Sequence, residues 1–403
     1  MRILFLSQLV PYPLDAGPKV RSYYVLRHLA EAGHAVTLLA FSRETDTRAN
    51  MDHLRSFCSS VHAIPLTRSR VRDARHLIRS LISGAPFLIA RDHVDGMYAK
   101  VQELAATGEF DAIHADQLWM APYALAAGEA VGATRPRLVL DQHNAVYLIP
   151  QRLAENGENQ IRRMILRREA RIMRRYEVET CRRFDAVVWV TEEDRAAVGS
   201  TDAPDGPVNH VIPICVDPSE TSVVPRVEQP HRVTFLGGLH WPPNAAGIVW
   251  FAREVWPRVR ATCPDAVLTV IGKSPPADLA TRDGIDVTGF VDDPVPFLRE
   301  TAVFIVPLHA GGGMRVKILD AWAWGLPVVS TTIGAEGIAY HEGENLLIAD
   351  EPEQLAAAVG DVLTCPELSR VLAIGGRKAV AADYDWRRMY SSWDAIYPSR
   401  VIH

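Results

Sequence analysis

Short apolar runs alternate with amphipathic stretches along nearly the whole chain. RILFLS (2–7), AVTLLAF (35–41), FDAIHA (110–115), RLVLD (137–141), FDAVVWV (184–190) and HVIPI (210–214) read as buried strands, with helical stretches near 20–32 and 120–131. The pattern then restarts. HRVTFLG (231–237) precedes a helix near 245–261, followed by AVLTVIG (266–272), IDVTG (285–289), AVFIVPL (302–308) and GLPVVST (325–331). Amphipathic stretches near 353–363, 367–382 and 386–397 close the chain. Strands that are apolar throughout are buried on both faces, as in a parallel sheet covered by helices. The expectation is an α/β chain of two doubly wound, Rossmann-like domains.

Length agrees, since 403 residues exceed one compact core and domains usually run to about 100–200 residues. The restart and the proline- and charge-rich stretch at 201–230 set the domains at 1–205 and 206–382, with 383–403 a closing helical segment that crosses back to the first. Doubly wound sheets bind ligands outside the carboxyl ends of their strands, so the site is expected in a cleft that two such domains face.

Composition removes some functions. A formal net charge of −5 does not suit a general nucleic-acid binder, which needs a basic footprint. The five cysteines are scattered with no CxxC pair, as in a reducing compartment and without a structural zinc site. The N-terminal MRILFLSQLVPYP lacks the long apolar core of a secretory signal, and no run approaches the roughly 20 apolar residues of a membrane span. A cytoplasmic chain is expected. One segment departs from the average: between 151 and 184 arginines crowd a helix with Ile161, Ile165, Ile172 and Tyr176 at its apolar positions. It reads either as a solvated helix with local Glu–Arg pairs or as a basic surface for anionic lipid or an anionic acceptor, at the inner face of the plasma membrane.

The densest chemistry lies in HAGGGMRVKILDAWAWGLPVVST (309–331). A buried strand runs into Gly311, Gly312 and Gly313, and a helix is expected from about Met314. Glycines admit a ligand close to the backbone, and a helix start offers unpaired N–H groups and the positive end of a dipole, which together suit phosphate. Arg315 and Lys317 fall in the expected first turn, where cations oppose the dipole unless an anion sits there. Asp320 lies about 9 Å further along, at 1.5 Å per residue, near the span from a diphosphate to the hydroxyls of its ribose. A carboxylate is a pure acceptor suited to those hydroxyls. Trp322 and Trp324 read as core.

GGGMRVKILDAWAWGLPVVST resembles the nucleotide-sugar motif of the retaining GT-B glycosyltransferases of family four, in the branch with a GxGxRxKxLEAMA pattern. FLGGLHWPPNAAGIVWF (235–251), VIPICVDP (211–218), VTGFVDDPVPFL (287–298), GAEGI (334–338) and PYPLDAGPKVRSYYVLRHLAEAGHAVTLL (11–39) match it in order. The resemblance implies a sugar transferase acting without a protein nucleophile, in which the diphosphate leaves while the acceptor hydroxyl attacks the same face. Charge developing on the diphosphate is the main thing to stabilise. Implied catalytic residues are Arg315, Lys317 and Asp116; Asp116 stands where the family has a histidine, with His114 two residues before it. Implied donor contacts are Gly17, Gly237, Gly238, His240, Phe290, Val291, Gly311, Gly312, Gly313, Met314 and Asp320. Lys19, Arg21, His143 and Asn144 are the acceptor-side candidates. The family's paired glutamates, eight apart, are Gly312 and Asp320 here. Its arginine and lysine after the FxG strand are absent, Gly238 and Pro243 standing near their places. No DxD-type metal motif occurs in a suitable loop; Asp292 and Asp293 read as a turn and helix cap. No metal or cofactor is therefore expected, only a nucleoside-diphosphate sugar and a hydroxyl acceptor, lipid-linked or glycan. Glycosylation of a small natural product, sugar-nucleotide epimerisation and non-catalytic nucleotide-sugar binding are the alternatives.

Overall fold

The computed structural model describes residues 1–67, 69–107, 109–130, 135–155, 159–199 and 206–398. The chain forms two compact units, Met1–Cys215 with Trp386 onward, and Val216–Asp385.

The first unit is built on a seven-stranded sheet of β1 (Arg2–Ser7), β2 (Ala35–Ser42), β3 (Ser60–Pro65), β4 (Ala112–Asp116), β5 (Arg137–Gln142), β6 (Ala186–Trp189) and β7 (Val208–Val211), in the order β3-β2-β1-β4-β5-β6-β7. Every ladder is parallel. Ile3, Leu4, Phe5 and Leu6 are each fully buried, as a strand covered on both faces requires. Register matters most at the carboxyl ends. Ser7 pairs with Asp116 and Asp116 with Asp141, which sets three polar residues side by side there.

The second unit holds a six-stranded parallel sheet of β8 (Arg232–Leu236), β9 (Val267–Ile271), β10 (Ile285–Gly289), β11 (Thr301–Val306), β12 (Val328–Ser330) and β13 (Leu347–Ile348), in the order β10-β9-β8-β11-β12-β13. The order reverses between β8 and β11, so the loops after these strands flank the crevice where doubly wound sheets bind ligands.

Several boundaries differ from expectation. The division falls at Cys215/Val216 rather than 205/206, because Val208–Val211 adds the seventh strand of the first sheet. The expected linker's residues 201–205 lie outside the described residues, as do 156–158 of the basic segment and 399–403 of the closing one. The closing segment rejoins the first unit from Trp386, with Trp386, Tyr390, Trp393 and Tyr397 buried. It is a short helix, Trp386–Met389, then a 3-10 stretch, Tyr390–Ala395, rather than one helix over 386–397. The helix expected at 245–261 is interrupted: Pro242–Trp250 and Trp256–Thr262 are α-helical, and Phe251–Val255 between them is a π-turn. Pro257 supplies the reason, since it has no N–H and its ring crowds the preceding carbonyls. The helix expected from Met314 spans Val316–Ala323. Strand β3 and the helices Arg48–Arg55, Arg70–Ser83 and Asp95–Ala105 fill the interval between 41 and 110 that the pattern left open. Trp322 is fully buried and Trp324 half-buried. Asp293 accepts from the Val295 N–H at 2.9 Å, capping the short helix after it. Among the described residues no helix is long and apolar enough to cross a membrane.

Candidate active site

In the second unit the loop after β11 carries Gly311 and Gly313 at φ 140° and 71°. The left-handed turn at Gly313 delays the helix by two residues, so Arg315 is its N-cap rather than part of its first turn. Gly311 also has no room for a side chain, since a Cβ there would stand 2.4 Å from Arg315 Nη2. The Arg315 guanidinium is buried against this turn. Its Nη1 donates to the Gly312 and Gly313 carbonyls at 2.6 and 2.8 Å, and Nη2 to the Ile333 carbonyl at 3.4 Å. Arg315 thus braces the glycine turn. Met314 is buried beside it, at 7% exposure. The Ile318 N–H closes on the Arg315 carbonyl at 2.9 Å, which leaves the Val316 and Lys317 N–H groups without an intrahelical acceptor.

Lys317, at the second helical position, turns toward β8. Its Nζ donates to Asn244 Oδ1 at 3.0 Å and sits 4.4 Å from the centre of the Phe235 ring. Asn244 in turn donates from Nδ2 to the Gly238 carbonyl at 2.9 Å, so one side chain ties the lysine to the loop after β8. Gly237 makes this fit possible, because a Cβ there would lie 2.6 Å from Lys317 Nζ. The exposed His240 ring lies over Gly238, whose Cβ would meet Cε1 at 2.6 Å. Burial, reinforced by Arg315 and opposed by Asp320, pushes the Lys317 pKa down to about 7. Asp320, three residues on, accepts no side-chain hydrogen bond among the described residues. Burial, opposed by Lys317, pushes its pKa up to about 7. A half-buried cation and a half-buried acid, neither fully compensated, therefore stand one turn apart at a helix start, in the arrangement that an anion followed by a hydroxyl-rich group would satisfy.

Phe290 and Val291 follow β10, two strands from β8 in the sheet; Phe290 is 53% exposed. Lys273, which the sequence reading passed over, places Nζ 4.1 Å from the Phe290 ring centre, and its carbonyl accepts from the Leu239 N–H at 2.9 Å. A lone lysine directly after an apolar strand was the available signal.

In the first unit the row Ser7, Asp116, Asp141 is the floor of a buried charge network. Asp116 Oδ2 accepts from the Ser7 and Ser22 hydroxyls at 2.8 and 2.7 Å, and Oδ1 lies 2.8 Å from His143 Nε2. Asp141 receives a two-pronged contact from Arg21, Nε at 3.0 Å and Nη2 at 2.9 Å. Arg21 Nη1 donates to the Ile212 and Pro213 carbonyls at 2.9 and 2.7 Å, and the guanidinium stands 5.1 Å from the Trp393 ring. Burial works against charge on Asp141, yet Arg21 and His143 hold its carboxyl well below the usual range. Burial likewise disfavours the His143 imidazolium, but Asp116 and then Asp141 keep its pKa at about 9, so the ring is cationic at neutral pH. His114 is the opposite case. Stacked on Phe5 at 4.1 Å and bonded through Nδ1 to the Tyr397 hydroxyl at 2.8 Å, it is pushed by burial down to about 4 and is neutral.

Two of the candidates are fully enclosed by protein groups. Arg21, an acceptor-side candidate, is fully buried with its fork engaged by protein groups, so it is a strut of this unit. Asp116, a catalytic candidate, is fully buried and faces Ser7, Ser22 and His143, so it positions His143. His114, Asp116 and Asp141 lie close enough together to hold a metal ion; Arg21, His143, the two serines and Tyr397 engage most of their polar atoms, while His114 Nε2 is buried without a hydrogen-bond partner among the described residues. Lys19 pairs with Asp15 at 2.9 Å. Gly17 opens the Gly17–Glu31 helix, its N–H at a position with no intrahelical acceptor. Beside His143, the Asn144 Oδ1 is buried without a hydrogen-bond partner among the described residues. Gln117, directly after β4, has φ 74° and ψ 158°, a conformation that costs a non-glycine residue about 1–3 kcal/mol. Its Nε2 is buried without a partner among the described residues. Backbone strain at Gln117 and unmet polar atoms on Gln117 and Asn144 thus gather at the carboxyl ends of β4 and β5, beside the candidates Asp116 and His143; Gln117 itself is not among the sequence candidates.

The profile described as Glycosyltransferase Family 4 matches residues 17–220, half of the chain, and that of Glycosyl transferases group 1 matches residues 230–365. This chain belongs to glycosyltransferase family 4. The family 4 chain is 22% identical over 405 residues to an uncharacterised 44.6 kDa protein in the cps region of Klebsiella pneumoniae, covering 97% of this chain and 98% of that one. Over 149 residues it is 26% identical to the GDP-mannose-dependent α-(1-6)-phosphatidylinositol monomannoside mannosyltransferase of Mycolicibacterium smegmatis, covering 32% of this chain and 39% of the relative. Among solved structures it resembles Anabaena HepE in complex with UDP and glucose, with a TM-score of 0.64, 15% identity and coverage of 98% and 99%. The sucrose-phosphate synthase of Thermosynechococcus elongatus gives a TM-score of 0.68 at 17% identity, covering 98% of each chain. Both likenesses establish the fold, two Rossmann-like α/β units of the GT-B type.

Proposed function

We propose that this family 4 chain transfers a sugar from a nucleoside-diphosphate sugar to a hydroxyl of a glycan or lipid-linked acceptor. Transfer proceeds with retention at the anomeric carbon and without a metal, in the cytoplasm, in assembly of a cell-envelope polysaccharide. The observation that carries the reading is the half-buried Lys317, held by Asn244 over Phe235 at the start of the Val316–Ala323 helix with Asp320 one turn on. In this reading Lys317 and the Val316 and Lys317 amides seat the diphosphate and stabilise the charge that develops as the glycosidic bond breaks. Arg315 fixes the glycine turn whose backbone the donor approaches, and Asp320 accepts from the ribose hydroxyls. The backbone at Phe290 and Val291 takes the base, while Gly237, Gly238 and His240 line the donor. The Gly17 amide joins the donor contacts, and His143, charged and pinned by Asp116, serves the acceptor side with Asn144 and Lys19.

The names of similar proteins support the nucleotide-sugar donor and the polysaccharide role. HepE was crystallised with UDP and with UDP-glucose, WaaG is a glycosyltransferase involved in lipopolysaccharide biosynthesis, and the Klebsiella relative lies in a cps region. The decisive experiment is a thermal-shift panel of UDP, GDP, ADP, TDP and their sugars on the wild type and Lys317→Ala, since a ligand of the folded state must stabilise it. One nucleotide is expected to raise Tm in the wild type and not in the variant. A panel with no stabilising nucleotide, or a shift that Lys317→Ala leaves intact, would reject the assignment. Anomeric configuration of the product, read by NMR, decides retention, and activity after exhaustive chelation decides the metal question.

A further inference from the structure

Large exposed aliphatic side chains are concentrated on two helices of the first unit. Val71, Leu77, Ile78 and Ile82 on Arg70–Ser83 are 70%, 43%, 58% and 83% exposed. Ile161, Met164 and Ile165 on Gln160–Cys181 are 69%, 67% and 55% exposed. Val71, Ile78 and Ile82 are spaced by seven and four, and Ile161, Met164 and Ile165 by three and one, so each set shares one helical face. The two helices are joined near these stripes, where Arg168 Nη2 donates to the Ser80 carbonyl at 3.2 Å. Ser80 is two residues from Ile82, and Arg168 three from Ile165.

Charge on the second helix is equally one-sided. Between Gln160 and Arg175 there are seven arginines and one glutamate, in a chain of net charge −5. The glutamate, Glu169, is half-buried and faces the Leu88 N–H at 3.4 Å. A hollow of about 400 Å³ on this helix is lined by Gln160, Arg163, Met164, Arg167, Arg168 and Arg171, with no carboxylate among the described residues. Met164 belongs to both the aliphatic face and the arginine hollow, so apolar and cationic surfaces meet there.

We propose that this face docks on an anionic lipid bilayer, with the aliphatic stripes entering the acyl boundary and Arg163, Arg167 and Arg171 at the level of the lipid phosphates. Protruding aliphatic residues suit hydrocarbon, and an arginine-lined hollow suits phosphate; a bilayer interface presents both side by side. The proposal uses none of the donor or acceptor residues and does not depend on their assignment.

The experiment is co-sedimentation of the full chain with vesicles of phosphatidylcholine alone and of phosphatidylcholine mixed with phosphatidylglycerol. Binding is expected only to the mixed vesicles and should weaken with salt. Arg163→Gln/Arg167→Gln/Arg171→Gln should lower the partition coefficient roughly a hundredfold, each arginine contributing about a factor of five near an anionic surface. Ile82→Ser/Ile161→Ser/Ile165→Ser should lower it by roughly tenfold or more through lost apolar burial. All six positions are on the outside of the helices or half-buried there, so unchanged thermal melts certify that the variants fold. Four results would overturn the proposal: equal binding to both vesicle types; binding unmoved by the arginine variant; stabilisation by free phosphate without vesicle binding; or a dimer in ultracentrifugation that the isoleucine variant dissociates.

Discussion

The titration of Lys317 gives the donor-site reading a quantitative edge. With a pKa near 7 in the free protein, about half the lysines are charged at pH 7 and roughly one in a hundred at pH 9. A diphosphate that binds only the ammonium form therefore loses roughly fiftyfold in affinity over that interval, about 2.3 kcal/mol at 1.36 kcal/mol per pKa unit. Asp320, also near 7, goes from about half ionised at pH 7 to almost fully ionised at pH 9, so an acceptor role offsets the lysine's loss by at most about twofold, and its own proton release matters only near pH 7. Binding must also draw a proton onto Lys317, about half a proton at pH 7 and close to one at pH 9. Isothermal titration of the nucleotide in buffers of differing ionisation enthalpy reads both quantities. Lys317→Arg, charged at every pH in the range, should bind with little pH dependence and take up no proton. Affinity constant within a factor of two from pH 7 to 9 in the wild type, with no buffer-dependent enthalpy, would refute the assignment of this lysine to the diphosphate. The free protein should respond as well. Lys317 protonates more readily in the unfolded chain, so its contribution to stability rises with pH between about 7 and 10.5. Asp320 protonates more readily in the folded one, so its contribution falls as pH rises from 3.8 to about 7. The pair is thus least favourable to the free fold near neutrality, where a bound nucleotide helps most.

Three further outcomes are expected. Arg21→Leu should destabilise the first unit by about 3–5 kcal/mol in urea denaturation, because it leaves Asp141 buried without its guanidinium partner; the double variant with Asp141→Leu should recover much of this, and an equal loss in both would rule out the charge as the cause. Gln117→Gly removes the strained backbone and should cost nothing or stabilise by about 1 kcal/mol while weakening substrate turnover; a loss above about 1 kcal/mol would mean the side chain is structural. Gly237→Ala should abolish nucleotide binding with a folded protein, since the new methyl group displaces Lys317 Nζ; unchanged affinity would show that the lysine's place is not needed.

Both sheets were legible in the sequence because parallel strands are apolar along their whole length, and that signal is local. β3 was missed for the same reason in reverse. SVHAIP has His62, Ala63 and Ile64 half-buried or exposed at the sheet's edge, and lacks the continuous apolar run. The break at Phe251–Val255 was foreshadowed only by Pro257, since a proline near a helix start is compatible with either a new helix or a kink. In the glycine-rich stretch, residue types named the chemistry but not the division of work among them. Arg315 and Lys317, two apart, look equivalent on paper, yet one turns inward to brace carbonyls and the other reaches Asn244, 73 positions earlier.

From the order of residues alone came the fold class, the family resemblance, and a cation, a glycine turn and an acid in the right succession. Periodicity and motif spacing are properties of neighbouring positions, which a linear string preserves. What folding alone decided was which charges are neutralised by the protein and which remain available. Ser7, Asp116 and Asp141 are brought abreast by strand register, Arg21 and His143 then share two carboxylates, and Asp320 is left with none of its own. Burial sets the cost of an uncompensated charge, and burial is settled by segments far apart in the chain.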